Sequence, residues 1–514
     1  MRTMKKKIAY VAALALTVQL LGSCKNELDV NPQERVTLDN YYKTQADAFA
    51  ALVSVYDRFG FQAGGLYDKI AIMDAACDDH LAGGGGPSDI NDLQVMSTYT
   101  LNSNVGPESY LWSKGYSGIY RANVLLSKID AIPMDAAIKS RYIAETKTLR
   151  AIFYFDLVRF FKNIPLITGT IDPSQMFDVV QAPPADVYTL IIKDLTDAIP
   201  VLPATVPAAT EGGRITKGAA QALLGKVYLQ QQKWPEAAAQ FAIVNGTTPG
   251  QANSTYGYKL LPKYADLWNP LNKFNSESIL EIVHSANSQG GWGDAGASEG
   301  NLLDIITGPR GYSQLNSTAP DYYSGYSFLV FTPEFASFIH NDPRNFPTVA
   351  NLDSLQNIAK SAKYTPGYNN TGFFLNKFIA HVANKTSVGT NYDLNFPQDN
   401  YEIRLADTYL LEAEALMKAG QSGVGSRAYQ LFNAVRARVG LNPVELNMDN
   451  LMKERRLELA GEGQRWLDLV RWGIAGQVLQ KRGFITGRNE IFPIPQSELN
   501  NTKLQQNKEW GGTL

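Results

Sequence analysis

Apolar side chains return every three or four residues through most of the chain, the spacing that gathers them on one face of a helix. The first run is announced by Thr44 with Asp47 three residues on, a capping pair. It carries Ala48, Leu52, Val55, Tyr56 and Phe59 until Gly60 ends it. A second runs from Trp112 through Tyr116, Ile119, Tyr120, Asn123 and Leu126 to Ile129. A long one starts at Asp135, carries Ala144, Leu149, Ala151, Phe155, Leu157, Val158 and Phe161, and stops at Pro165. Pro183 and Pro184 open the next, with Val187, Tyr188, Ile191, Ile192, Leu195 and Ala198 on its apolar side.

After these the helices come in pairs. Thr216 to Gln232, with Ala220, Leu223, Leu224, Gly225 and Tyr228, precedes a helix from Pro235 with Ala237, Ala238 and Phe241 behind Trp234. A second pair begins at Tyr409, Leu410, Ala413 and Ala415 and continues with Ala428, Leu431, Val435 and Val439. Small residues let two helices approach, and aromatics fill the gap toward the next pair, as in tetratricopeptide hairpins. The pattern predicts a mostly α fold, a tetratricopeptide-like helical-hairpin superhelix.

Periodicity lapses twice. Between Asp78 and Pro107 the chain is rich in Gly, Asp, Asn and Ser, including Gly83-Gly84-Gly85-Gly86-Pro87, and predicts a long loop. From about 256 to 400 short strand-like runs such as Ile279-Leu280 and Ile282-Val283 alternate with Gly-, Ser- and Tyr-rich stretches. Thr332-Pro333-Glu334 caps one short helix ending near His340. This region predicts an irregular, loop-rich insertion with small β elements. The domains expected are 24–245, helical, and 256–514, made of the insertion (about 256–400) and a helical block (about 401–514).

The N-terminus changes the setting. Arg2, Lys5, Lys6 and Lys7 precede an apolar run from Ile8 to Leu21, a secretory signal too short for a membrane span. Leu21-Gly22-Ser23-Cys24 resembles the bacterial lipobox, which makes 1–23 a lipoprotein signal peptide and Cys24 the acylated, palmitate-carrying anchor in outer-membrane lipid. Lys25 and Glu27 after the anchor resemble the surface-export signal of Bacteroidetes lipoproteins, with Asn26 interrupting it.

Composition then removes several classes of function. Loss of the four n-region charges takes the net charge from −2 to about −6, and no basic run argues for nucleic acid. Cys77 has no second cysteine to pair with once Cys24 is acylated, so no disulfide framework exists. His80, His284, His340 and His381 are isolated, and no metal-ligand run, P-loop or nucleophile elbow occurs, so no metal and no cofactor is expected. Gly291-Trp292-Gly293-Asp294-Ala295-Gly296 matches a dinucleotide fingerprint by letter but lacks the βαβ setting. The charges from Glu454 to Arg471 lie at helical spacing among Leu and Trp, which points to ion pairs between helices rather than catalysis.

Ordered blocks along nearly the whole chain resemble the SusD/RagB family of nutrient-uptake outer-membrane lipoproteins. They include Ala122-Asn123, Leu149-Arg150-Ala151, Asn163-Ile164-Pro165-Leu166 and Gly213-Arg214-Ile215-Thr216. The most specific lie late: Arg404-Leu405-Ala406-Asp407, Glu412-Ala413-Glu414-Ala415, Asn433 to Arg438, Glu454-Arg455-Arg456, Asp468-Leu469 and Arg471-Trp472-Gly473. Asp407 stands where the family more often has Glu. The resemblance implies a non-catalytic cell-surface lipoprotein that binds an oligomeric nutrient, a glycan (oligosaccharide or polysaccharide). It also implies delivery to a partner TonB-dependent SusC-like transporter. Three alternatives remain open here: a peptide-capturing RagB-type lipoprotein, a surface glycoside hydrolase, and a scaffold with no ligand of its own.

Sugar rings stack on aromatics while their hydroxyls bond to Asp, Asn, Gln and Arg on loops. Trp292, Tyr312, Tyr322, Tyr323 and Tyr326 are therefore the expected platform. Asp79, Asn91 and Tyr99 are the expected second wall, from the two loop zones that the resemblance implicates. The competing role for these aromatics is packing the insertion onto the helices.

Overall fold

The computed structural model describes residues 41–63, 66–287, 291–292, 299–385 and 391–514. Cys24 and the lipobox lie outside them. Helices dominate, and the strands among the described residues form five sheets of two strands each.

The first helix, Gln45–Gly60, starts as its sequence predicts: Thr44 accepts from the Asp47 N–H, and Asp47 accepts from the Thr44 N–H at 2.8 Å. It packs on Glu108–Lys128 and on the long helix Ala136–Phe161, which Asp135 caps. Ala136–Phe161 packs in turn on Pro184–Ala198. A buried contact locks the middle of this layer. Arg150 grips Asp194 with two N–H groups at 2.8 Å each, and a third donates to Asn123 at 2.7 Å.

The paired helices follow. Lys217–Gln230 and Trp234–Asn245 form one hairpin, with Gly225 leaving room for the Phe241 ring. Trp234–Asn245 then packs directly on Leu405–Lys418, which pairs with Arg427–Arg438. The helical stack therefore continues from 245 to 405 as though the intervening chain were looped out. Strand Ser278–Ile282 pairs antiparallel with Asn400–Arg404 and closes the base of that excursion.

The excursion has a core of its own. Tyr312, Tyr322, Val330, Ala350, Tyr364 and Phe374 pack together, apart from the main core. The stretch predicted as one long loop, 78–107, differs from expectation. It holds a strand, His80–Gly83, paired with Phe328–Phe331, and a helix, Asn91–Thr98. Neither element shows a pattern in sequence, because the helix buries Gln94 and Ser97 beside Leu93 and Met96. Gln94 belongs inside because its amide donates to Gly83 O at 2.9 Å and Asp89 O at 3.0 Å.

The charged C-terminal block ties elements together. Arg404 donates to Glu277 at 3.0 Å, Glu458 at 2.7 Å and Glu462 at 2.7 Å. Arg344 reaches Asp342, Glu454 and Glu458, and Arg455 reaches Asp407 and Asp468. All of these side chains are buried. Three guanidinium groups facing Glu458 hold its carboxyl well below the usual range despite burial. Asp407 meets both Arg455 at 2.8 Å and Lys226 at 2.9 Å, so the shorter side chain serves here. No helix among the described residues is long and apolar enough to cross a membrane.

Candidate functional site

Tight backbone contact between two segments of the insertion builds the site. The N–H groups of Gly325, Tyr326 and Ser327 donate to the carbonyls of Pro309, Ile305 and Gly308 at 2.7 to 3.0 Å. A Cβ on Gly325 would lie 2.3 Å from Ile305 O, so only glycine permits the approach. Ser327 is buried at φ +62°, a conformation that non-glycine residues seldom adopt. It joins three loops: its carbonyl accepts from Gly84 N–H at 2.8 Å and its hydroxyl from Arg310 N–H at 2.9 Å, while its own N–H goes to Gly308.

From this junction an aromatic surface emerges. Trp292 is 41% exposed, and its ring lies 6.3 Å from that of half-buried Tyr326. Tyr326 Oη donates to Asp393 at 3.1 Å, and the Tyr323 phenol bonds the same carboxylate. Burial and then the Asp393 charge push both phenols up to about 12, so they remain protonated donors. Exposed Lys385 stands 4.0 Å over the Tyr392 ring and 5.7 Å from that of Tyr323. On the other side the Arg310 guanidinium lies 5.9 Å from the Tyr326 ring and 3.3 Å from Asp89. The result is a row of rings with an ammonium at one end and a guanidinium at the other.

The expected residues divide. Trp292, Tyr323 and Tyr326 come together on this surface. Tyr312 and Tyr322 do not: both are buried in the insertion's core, 5.4 Å apart, with hydroxyls given to Pro320 O and Asn376. Asp79 is buried too and bonds Arg456 at 2.7 Å, anchoring the C-terminal block. Tyr99 is buried, its hydroxyl bonded to Ala76 O and its ring edge-on to Phe484. These four fill the interior because each has an internal partner for its polar atom. Asn91 is exposed at the start of its helix, with no hydrogen bond or ring contact to the platform. The loop zone instead contributes Asp89.

Arg310, Lys385, Tyr392, Asp393 and Ser327 went unnoticed in the sequence. The Tyr392-Asp393 pair, an aromatic beside a carboxylate in an unpatterned stretch, was the available signal. Of the glycine-rich motif around Trp292, residues 293–296 lie outside the described residues.

Two other features compete for attention. Cys77, Asp78 and Asp79 place ligand-type atoms within 4.8 Å of one another. However, Arg456 and Arg465 already hold both carboxylates, and burial pushes the Cys77 thiol up, away from the thiolate a metal needs. A cavity of about 390 Å³ lies beneath the first helix. Its Tyr56 and Arg214 are committed to Glu145, at 2.6 Å each.

Comparison with known proteins places the chain and its fold. One family model, described as the SusD family, matches residues 350–483. Another, described as starch-binding and associating with the outer membrane, matches residues 29–229. A solved structure named as a laminarin binding SusD-like protein is 49% identical, with a TM-score of 0.87 over 91% of this chain and 99% of its own. Surface glycan-binding protein A from Bacteroides thetaiotaomicron, solved with laminarihexaose, shares the fold. Its TM-score is 0.79 at 24% identity, over 90% of this chain and 100% of that one. SusD-like protein P25 of Formosa agariphila is 25% identical over 544 residues, 96% of this chain and 97% of that protein. The chain belongs to the SusD/RagB family.

Proposed function

We propose that this protein captures a laminarin-like glucan at the cell surface on the Trp292–Tyr323–Tyr326 platform. It hands the chain, uncleaved, to a SusC-like TonB-dependent transporter. The observation that carries the reading is the exposed Trp292 face beside Tyr326, with donors and acceptors set along its edge. A sugar ring presents C–H bonds on its face and hydroxyls around its rim. Stacking would take the face, Lys385 and Arg310 would take the rim, and Asp393 would hold the two tyrosine rings in place. Acylated Cys24 would tether the body to the outer membrane above the transporter. The 49% identical laminarin binding protein supports the ligand class.

Glycoside hydrolysis needs one carboxyl as acid and a second as nucleophile or base across the scissile bond. Here Asp393 accepts from two phenols, and Asp89 accepts from Arg310 and from the Gly85 N–H at 2.7 Å. Both carboxylates are committed as acceptors that shape a surface, which favours binding over cleavage.

The test is calorimetric titration of the full-length protein in detergent against laminarin, other polysaccharides and peptides. Heat with laminarin, lost in Trp292→Ala at unchanged melting temperature, is expected. Heat with peptides alone would replace this reading by peptide capture. Appearance of shortened sugars would replace it by hydrolysis.

A further inference from the structure

Arg310 faces two ways. Its side chain reaches Tyr326 and Asp89, while its carbonyl accepts the Thr365 N–H at 2.8 Å. Thr365 and Gly311 then form the near wall of a wide, shallow hollow of about 700 Å³. Its floor is the two-stranded ribbon of Ser313–Gln314 and Ala362–Lys363, in which Ser313 sits opposite Lys363. Its far wall is the turn Ser354–Ile358, followed by Lys360.

The lining is unlike that of the platform. The only ring here, Tyr364, is buried, and its hydroxyl is bonded to Asp353, so no aromatic face is on offer. Leu315 is the exposed apolar side chain of the lining, and around it stand polar side chains without partners among the described residues. Ser313, Asn357, Lys360, Lys363 and Thr365 make no side-chain hydrogen bond or ion pair among the described residues. Gln356 is held through its carbonyl, which accepts the Tyr364 N–H at 3.0 Å, and its amino group has no bond among the described residues. Beneath the ribbon lies the insertion's separate core, with Tyr312 and Tyr322 in it, so the hollow rests on packed side chains.

We propose that this ribbon hollow is a second glycan subsite. It holds the sugar residues of a chain that runs off the platform past Arg310, by hydrogen bonds to hydroxyls rather than by stacking. Its size is that of ordinary ligand clefts. Its donors and acceptors are hydroxyl, amide and ammonium groups, the set that matches a polyol. Continuity through Arg310 makes it an extension of the platform, so the inference rests on the glycan-capture reading. Its consequence is a preference for longer chains, since the second contact adds to a chain already held by the first.

The test uses the full-length protein in detergent with two probes, laminaritriose and laminarin. The Asn357→Ala/Lys360→Ala/Lys363→Ala variant changes exposed side chains only and should melt as the parent does. It is expected to bind laminaritriose as the parent does and laminarin about tenfold more weakly, the sum of a few modest hydrogen bonds. Unchanged laminarin binding would overturn the proposal, and so would an equal loss for both probes, since a distinct subsite acts on the longer chain alone. Trp292→Ala, run beside it, separates the two readings. If Trp292→Ala loses both probes while the triple variant loses neither, capture stands and the second subsite falls. If Trp292→Ala loses neither, the platform reading falls and takes this one with it.

Discussion

The Tyr326 phenol donates to the Asp393 carboxylate at 3.1 Å, across 67 residues of chain, and the Tyr323 phenol bonds the same group. One carboxylate thus fixes the tilt of two rings on which a sugar would lie. Removing it should leave both rings free to turn, so that binding must first order them. Asp393→Ala is expected to weaken laminarin binding about tenfold, on the order of two hydrogen bonds. Asp393→Asn, which keeps an acceptor oxygen, should recover most of that. In calorimetry Tyr326→Phe and Asp393→Ala should be non-additive, because each breaks the same bond. Additive losses would mean that Asp393 acts on the ligand and not through the tyrosine.

Gly325 makes a sharper test of the scaffold. A methyl group there would meet Ile305 O at 2.3 Å, and backbone cannot swing aside as a side chain can. Gly325→Ala should cost about 1–3 kcal/mol in urea unfolding and abolish binding, since Tyr323 and Tyr326 flank it. Gly86→Ala, in the neighbouring glycine-rich loop, has nothing within 4 Å and should change neither. If the two variants behave alike, the close approach is not what positions the rings.

How far the sequence foretells this structure follows from which features have local causes. The first helix begins at Thr44 because the capping pair is written within four residues. The helical pairs declare themselves because small residues must recur where helices touch. The insertion shows as a loss of period, and the structure adds that Trp234–Asn245 and Leu405–Lys418 close up behind it. The site is harder to read. Trp292, Tyr323 and Tyr326 were visible as an aromatic-rich stretch. Tyr312 and Tyr322 looked the same in sequence, and only Pro320 O and Asn376, waiting inside, decide their burial. Arg310, Lys385 and Asp393 matter through contacts that no spacing encodes. Asp79 was misleading for a related reason: its partner, Arg456, lies 377 residues on.

The C-terminal ion pairs bear on folding rather than on ligand. Arg404 lies among Glu277, Glu458 and Glu462, with every partner buried. Replacing it by Met would fill the space but take one cation from each of three carboxylates, leaving Glu458 to Arg344 and Arg438, Glu277 to Arg438 and Glu462 to Lys377. Breaking a buried pair typically costs about 3–5 kcal/mol. Arg404→Met is therefore expected to lower the melting temperature. A variant that melts like the parent would show that Arg344, Arg438 and Lys377 are enough to hold the three carboxylates.

A last prediction concerns pH. Glu281, on the strand at the base of the insertion, is pushed up to about 8 by burial and then by the neighbouring Asp399, to which its protonated form donates. Lys273 neutralises Asp399 from the other side at 2.6 Å, and the Phe274 N–H reaches Glu281 at 3.1 Å. Because the folded value lies above the ordinary 4.5, the folded state holds this proton more tightly than the unfolded chain. The stability this confers is complete below about 4.5 and is lost as pH rises through about 8. Urea unfolding at pH 5, 7 and 9 should show the parent weakening across that range. Glu281→Gln stays neutral and can still donate to Asp399, so its curve should be flatter. At pH 9 it should be more stable than the parent by something on the order of 2 kcal/mol. Parallel curves for the two proteins would mean that the carboxyl ionises in the fold as freely as in the unfolded chain, and the shared proton would have to be abandoned.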